Sequence, residues 1–484
     1  MTRFPLISPR PLFSLAALCA LSVSAGASAA TLSVGPGKTF SSPCKAIAAA
    51  ANGDTIEIEG SASYDGDVCV IYASNLTIRG VNGRPKINAA GQNAVGKGTW
   101  VLYGNDTTID NVELFGAAVP DQNGAAIRLD ARGLTLKNSY LHHNENGILT
   151  NNDAASDVVI EDTEFAFNGL GNGYTHNLYI GNINSLVFRG SYSHDANVGH
   201  NLKSRARTNT IVYSRFSAST NQPSYEIDLP NAGNSYVIGN VIHQPSANQA
   251  ATMLAYGEEG ASNPGHELYV VNNTFLNDDS VRGTFVMIGD QVSKPTLLQN
   301  NIFSGTGNAT NRPSAIDLNN YRSLSPSFIN RGEFNLLPAL GAAMIDAGAA
   351  VGASSGGLSL SPTLQYRFPV GTEARPANGI IDIGAYEAGG ALSTIVAGTV
   401  SAVTAAVTTV ATAPTATASG AAAEGGWADC ASENGSCSFS GTRQVRYGAN
   451  GVYAYRSATD GIACDNATFG DPLYGVVKAC SYAQ

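Results

Sequence analysis

The residues best suited to chemistry lie in a run of segments that share one register. GHNLKSR (199–205) sets Lys203 and Arg205 two positions apart, and THNLYIG (175–181) repeats its His-Asn-Leu 24 residues earlier. NGILTNN (146–152) precedes them and SYEIDLP (224–230) follows in the same alignment. With strand alternation, Ile148, Leu178, Leu202 and Ile227 face inward, and Tyr179, Lys203 and Asp228 stack outside. The same parity puts Asn177, Asn201 and Glu226 outside, Arg205 beside Lys203, and Arg128 on the stripe one coil earlier.

That mixture suits β-elimination of a uronate polysaccharide, which needs a cation for the sugar carboxylate, a base for the adjacent proton and an acid for the leaving oxygen. Arg205 is the candidate carboxylate partner, in bidentate contact. Lys203 is the candidate base if Arg205 and partial desolvation lower its pKa. Tyr179 is the candidate acid. Glu226 and Asp228, with Asn201, form an oxygen cluster of the kind that holds Ca2+. Arg128, Asn177 and Asn201 are candidate substrate contacts.

His176 and His200 share the parity of the inward leucines, so their commoner role is closing a coil by hydrogen bonds. If the backbone bends there, both reach the outer surface as alternative bases. His142 and His194 read as a stacked structural pair. Within 189–215 stand Arg189, Lys203, Arg205, Arg207 and Arg215 against one acid, Asp195. A basic patch on an acidic protein points to an anionic ligand, while a solvated face balanced by Glu226 and Asp228 is the plainer alternative.

The elements that position these residues repeat. LTIRG, TTIDN, LTLKN, VVIED, LVFRG, TIVYS, YVIGN, YVVNN and LLQNN share an apolar-x-apolar-x pattern, ending at Gly80, Asn111, Asn138, Asp162, Gly190, Ser214, Asn240, Asn273 and Asn301. These anchors lie 24 to 33 residues apart, one short β unit per repeat. Stacked units predict a single-chain right-handed parallel β-helix with an Asn ladder inside. Propeller blades of roughly 40 residues or more do not fit the spacing. Nine coils at about 4.8 Å give a stack of roughly 40 Å, long enough for an extended polysaccharide. Pro43 to Asn52 reads as a helix capping the first coil, tied by Cys44 and Cys69.

Arg3 and Arg10, the apolar run Leu12 to Val23 and the small residues at Ala27–Ala30 predict a signal peptide over 1–30 and a secreted, extracellular or periplasmic protein. The β-helix domain is expected over 31–390. Removing the two leader arginines moves the net charge from −10 to about −12, which argues against nucleic acid as partner. An Ala/Thr/Val-rich linker follows over 391–426, too poor in Leu to read as a membrane span. Residues 427–484 hold Cys430, Cys437, Cys464 and Cys480, a small disulfide-pinned module whose four cysteines allow three pairings. QVRY and VYAY around GANG predict a hairpin with Tyr453 and Tyr455 on one face, suited to sugar rings or to packing. The protein is expected to be a monomer.

VGPGKTF, GDTIEIEG, VPDQNGAAIRL, HNENGIL, THNLYIG, GHNLKSRA, EIDLPNAG and AYGEEG together resemble a family of exported bacterial right-handed β-helix proteins, from about Thr31 to Gly390. DAG (346–348) and RPANGIIDIGAYE (375–387) look like the closing segment of such proteins. More distantly the chain is similar to pectate, alginate and chondroitin lyases, mannuronan epimerases and polygalacturonases. The group Lys203, Arg205, Glu226 and Asp228 resembles the calcium, lysine and arginine sites of the alginate and chondroitin lyases. Those lyases do not place the basic pair on one strand. The epimerase DPHD is absent, and of the polygalacturonase signature only GHN stands where GHG is needed, with Asp278 and Asp279 in an unrelated loop. The terminal module is similar to small domains appended to secreted carbohydrate-active enzymes.

The reading is a polysaccharide-active enzyme, a lyase on an acidic glycan being favoured. A hydrolase or epimerase is the rival, since Glu226 and Asp228 would stand about 6.8 Å apart along a strand. A non-catalytic glycan-binding adhesin would use the same stripe for attachment.

Overall fold

The computed structural model describes Met1 and residues 29–389, 427–449, 452–469 and 477–483. Most of the expected leader, the 391–426 linker, Asn450 and Gly451 of the GANG turn, and most of FGDP lie outside the described residues. Two compact units are formed, Met1–Pro326 with Gly341–Glu387, and Ser327–Leu340 with Ala388–Gln484.

The first unit is the parallel β-helix, with sheets of 12, 10 and 11 strands among the described residues. Each repeat sends one strand to each sheet, so residues adjacent in space along a sheet are a full coil apart in sequence. The site lies on the ten-stranded sheet. Its strands Ala125–Leu129, Asn146–Thr150, Leu178–Ile180, Leu202–Ser204, Ile227–Leu229 and Thr252–Tyr256 are stacked neighbours. Ile148, Leu178, Leu202 and Ile227 form the expected inward column, Ile127 and Leu254 extend it, and all six are fully buried. Each such side chain contributes roughly 1.5–3 kcal/mol by leaving water, and the column holds the register against slippage.

The repeat ends in a turn whose two positions do different work. Asn111, Asn138 and Asp162 adopt φ of 56°, 48° and 47°, a left-handed conformation that Asn and Asp tolerate. From Ser139 onward the following residue points inward and its side chain accepts the backbone N–H of the coil before it. Thus Thr163 N–H donates to Ser191 Oγ, Ser191 N–H to Ser214 Oγ, and Ser214 N–H to Asn240 Oδ1. Asn240, Asn273, Asn301 and Asn320 continue through amide bonds of 2.9–3.0 Å. The ladder is therefore real, but Asn111 and Asn138 are turn residues outside it. The repeat pattern merged the two adjacent positions.

The N-terminal helix spans Pro43–Ala49, with Pro43, Ala46 and Ile47 buried. It is three residues shorter than expected, because the chain turns extended at Ala50. The Cys44–Cys69 disulfide ties it to the strand Cys69–Ile71. At the other end Arg375 pairs with Glu387 at 2.9 Å, and Ala385 N–H donates to Thr274 Oγ1, which fastens the 375–387 segment onto the coils.

In the second unit, Thr442–Ala449 and Val452–Thr459 pair as the predicted antiparallel hairpin. Cys430 bonds to Cys437 and Cys464 to Cys480. Tyr453 and Tyr455 sit on one strand, but their rings are inclined by 62° instead of forming one flat face. Arg446 stacks between Tyr453 and Trp427, at 4.3 and 4.8 Å.

Candidate functional site

Tyr179, Lys203 and Asp228 occupy matching positions on three consecutive coils, as the sequence register requires. Arg128 lies further along the same row, with Leu149 between it and Tyr179. It is bound to Asp130 Oδ1 at 2.9 Å, with Lys97 on the other oxygen of that carboxylate, and takes no part in the Lys203–Arg205 cluster.

Lys203 is nearly buried. Its ammonium donates to Asp228 Oδ2 at 2.8 Å and to Glu259 Oε1 at 2.7 Å. Arg205 donates from Nε to Tyr179 Oη at 2.8 Å, from Nη1 to Asn231 Oδ1 at 2.7 Å, and from Nη2 to Glu259 Oε2 at 2.6 Å. The two cations therefore grip one carboxylate between them, an oxygen each. Burial works against the Lys203 charge, but Asp228 and Glu259 outweigh it and raise its pKa above the ordinary lysine value. The expectation of a lowered pKa is corrected: two carboxylates touch this ammonium, and Arg205 is neutralised by one of them. Burial also raises the Asp228 carboxyl, against the pull of Lys203.

Glu259 escaped the sequence reading. It lies in the Gly257–Gly260 turn after the strand Thr252–Tyr256, nearly sixty residues from Lys203. The one signal for it was AYGEEG, an acidic pair between glycines.

The histidines and asparagines exchange the faces that strict alternation assigns them. The site strands begin at Leu178, Leu202 and Ile227, so the residues before them lie in a bend between sheets. There His176 and His200 turn outward, and Asn177, Asn201 and Glu226 turn into the solenoid. Asn168 Nδ2 donates to Asn177, Asn177 Nδ2 to Asn201 at 2.9 Å, and Asn201 Nδ2 to Glu226. This second internal ladder meets hydrogen-bonding needs that the interior would otherwise leave open. Asn177 and Asn201 are thus not surface contacts. Glu226 and Asp228 face opposite sides of the wall, so they share no cation and do not form the paired carboxylates of a hydrolase. Among the described residues no group of three or more His, Cys, Asp or Glu is disposed around a common metal position.

His176, His200 and Tyr225 stack on successive coils at 4.8 and 4.9 Å, with Tyr179 against His176. The N–H of His200 donates to Nδ1 of His176, and that of Tyr225 to Nδ1 of His200. Each ring therefore carries its proton on Nε2. Burial and the Lys203 charge push His176 down to about 3 and His200 well below the usual histidine range. Both are neutral donors whose one lone pair is engaged, so neither is a base. His200 Nε2 faces Asp228 Oδ2 at 3.5 Å.

The sequence-local basic patch separates over the three sheets. Arg189 pairs with Glu161, and Arg215 stacks over Tyr192 at 4.9 Å on a different face. Lys203 and Arg205 alone of the five meet at the site. His142 and His194 do not stack on each other either, since Ala166 separates them in the ladder. His194 is held by Glu164 and Asp195.

Beside Lys203 opens a recess of about 320 Å³, lined by His200, Ser224, Tyr225, Asp228, Glu258 and Glu259. Lys203 stands on its wall among the three carboxylates Asp228, Glu258 and Glu259, and the stacked rings of His200 and Tyr225 lie along its side.

Against this geometry stand the comparisons. No protein-family description matches the chain. Over 57 residues, 11% of the chain, it is 40% identical to an uncharacterized protein, L701, of Acanthamoeba polyphaga mimivirus, and that stretch spans 28% of the viral protein. Pectate lyase Pel9A superposes with a TM-score of 0.52 at 15% identity, over 74% of this chain and 96% of that one. The likeness is one of fold. An alginate lyase from Paenibacillus sp. str. FPU-7 superposes at a TM-score of 0.40, with 15% identity, over 61% of this chain and 98% of the other.

Proposed function

We propose that the protein is a polysaccharide-active β-helix enzyme, a lyase that cleaves a uronate-containing glycan by β-elimination. The observation that carries the reading is the grip of Lys203 and Arg205 on a single carboxylate, each on its own oxygen. A uronate presents the same group. The fold supports it as well, since a solved structure with this fold is a pectate lyase.

In this reading Arg205 neutralises the sugar carboxylate and thereby acidifies the proton on the carbon next to it. Lys203 first gives up its own proton, and with it the charge it lends to that grip, so that Arg205 alone holds the carboxylate while Lys203 takes the proton from carbon. The C–H pair becomes the new carbon–carbon double bond as the glycosidic C–O bond breaks. Tyr179 donates its hydroxyl proton to the departing oxygen, and Asp228 keeps Lys203 placed. The raised Lys203 pKa favours a second reading, glycan binding without turnover, in which Lys203 remains a cation throughout.

Three disulfides fit an exported protein, and no described helix is long and apolar enough to cross a membrane. Incubation with a panel of acidic and neutral glycans, following ultraviolet absorbance and reducing ends together, tests the proposal. Unsaturated ends on a uronate glycan support the lyase. New reducing ends without unsaturation indicate a hydrolase, altered uronate configuration without cleavage an epimerase, and binding without product an adhesin.

A further inference from the structure

We propose that Glu259 is a displaceable internal ligand, which occupies the substrate carboxylate's place at Lys203 and Arg205 and sets the site's affinity for acidic sugars. This rests on the reading of that pair as a uronate site.

Three observations carry it. Glu259 is the outermost member of the cluster, with its side chain 46% exposed against 10% for Lys203 and 22% for Arg205. It covers the cations from the solvent side, in the direction from which a glycan must come. Second, both cations have other anchors. Lys203 keeps Asp228, and Arg205 keeps Tyr179 and Asn231, so Glu259 can leave without collapse of the pair. Third, the Glu259 backbone is pinned by its N–H to the Pro230 carbonyl at 2.9 Å. A rotation of the side chain alone then opens the site, with no loop movement.

Charge points the same way. With Glu259 in place, the two cations are paired with the two carboxylates of Asp228 and Glu259, while Glu258, also on the recess wall, sees the Arg312 charge instead. With it turned to solvent, one positive charge is left over, enough for one uronate. Neutral sugars bring no charge to exchange for the carboxylate. The residue therefore acts as a filter against them, at the cost of weaker binding to acidic ones.

The test compares the full chain with Glu259→Ala and Glu259→Gln, measuring trigalacturonate binding by calorimetry and protection against heat by acetate, with galactose as the neutral control. Glu259→Ala should bind trigalacturonate about tenfold more tightly, because apparent affinity falls by the fraction of sites an internal ligand leaves open. Acetate should protect this variant and leave the wild type unaffected. Glu259→Gln should shift affinity the same way by less. Unchanged or weaker binding in Glu259→Ala overturns the proposal, as does misfolding of both variants, since a group the fold depends on is not displaceable. Acetate protection of Glu259→Ala without binding of any uronate would keep the internal ligand and reject the uronate reading. A wild type that cleaves a uronate glycan while Glu259→Ala does so with a higher KM would do the reverse.

Discussion

Asn201 donates through Nδ2 to the carboxyl of Glu226 in a part of the solenoid wall that water does not reach. Burial raises that carboxyl from the ordinary 4.5 to about 8, with Asp195 adding to the rise. The folded chain thus keeps a proton that the unfolded chain loses between those two values. Its stabilising contribution is complete below the unfolded value and lost as the pH rises through about 8.

Glu226→Gln keeps an oxygen for Asn201 and cannot ionise. Urea unfolding at a series of pH values should show the variant close to wild type in mild acid and more stable above pH 8, by on the order of 3–5 kcal/mol. Parallel pH profiles for the two proteins would reject the assignment.

The internal ladder makes a second prediction. Asn177→Ala takes the acceptor from the Asn168 backbone N–H and a donor from the His194 carbonyl, while Asn168 Nδ2 keeps the Leu141 carbonyl and Asn201 Oδ1 keeps the Ala196 N–H. Each buried group left unpaired costs about 1–3 kcal/mol, so the midpoint of urea unfolding should fall markedly. Below that transition, glycan affinity should stay at the wild-type value. A loss of affinity in the folded variant would return Asn177 to the binding surface.

The inward column was legible because alternation within a strand is a local rule, and Ile148, Leu178, Leu202 and Ile227 lie in or beside short strands in one register. The rule failed one residue upstream, at Asn177 and Asn201, where the chain bends between sheets and parity no longer holds. Glu259 was illegible for a different reason. It reaches Lys203 from two coils further along, and no spacing within a repeat encodes that approach. The same geometry misled the reading of Arg189 and Arg215, because each coil visits three faces and proximity in sequence is not proximity in space.

Tyr179→Phe isolates the proton donor. The ring can still stack on His176, but the oxygen bound to Arg205 Nε is gone. Turnover of a uronate glycan should fall on the order of a hundredfold, in line with the loss of general acid catalysis. KM should change far less. Equal losses of binding and turnover would make Tyr179 only a support for Arg205.

The last prediction separates the two roles open to Lys203. As the base it must first lose a proton that Asp228 and Glu259 hold in place, so the competent fraction is small at neutral pH. The value of kcat should then climb with pH through the alkaline range and level off only above the ordinary lysine pKa of 10.5. Lys203→Arg, which keeps the charge but does not deprotonate in that range, should remove the climb and nearly all turnover while sparing glycan binding. Lys203→Ala is the less clean variant, because it leaves Asp228 buried beside a neutral gap at a cost of about 3–5 kcal/mol. A flat alkaline profile with Lys203→Arg still active would make Lys203 a second cation for the carboxylate, and the base would have to be sought elsewhere in the recess.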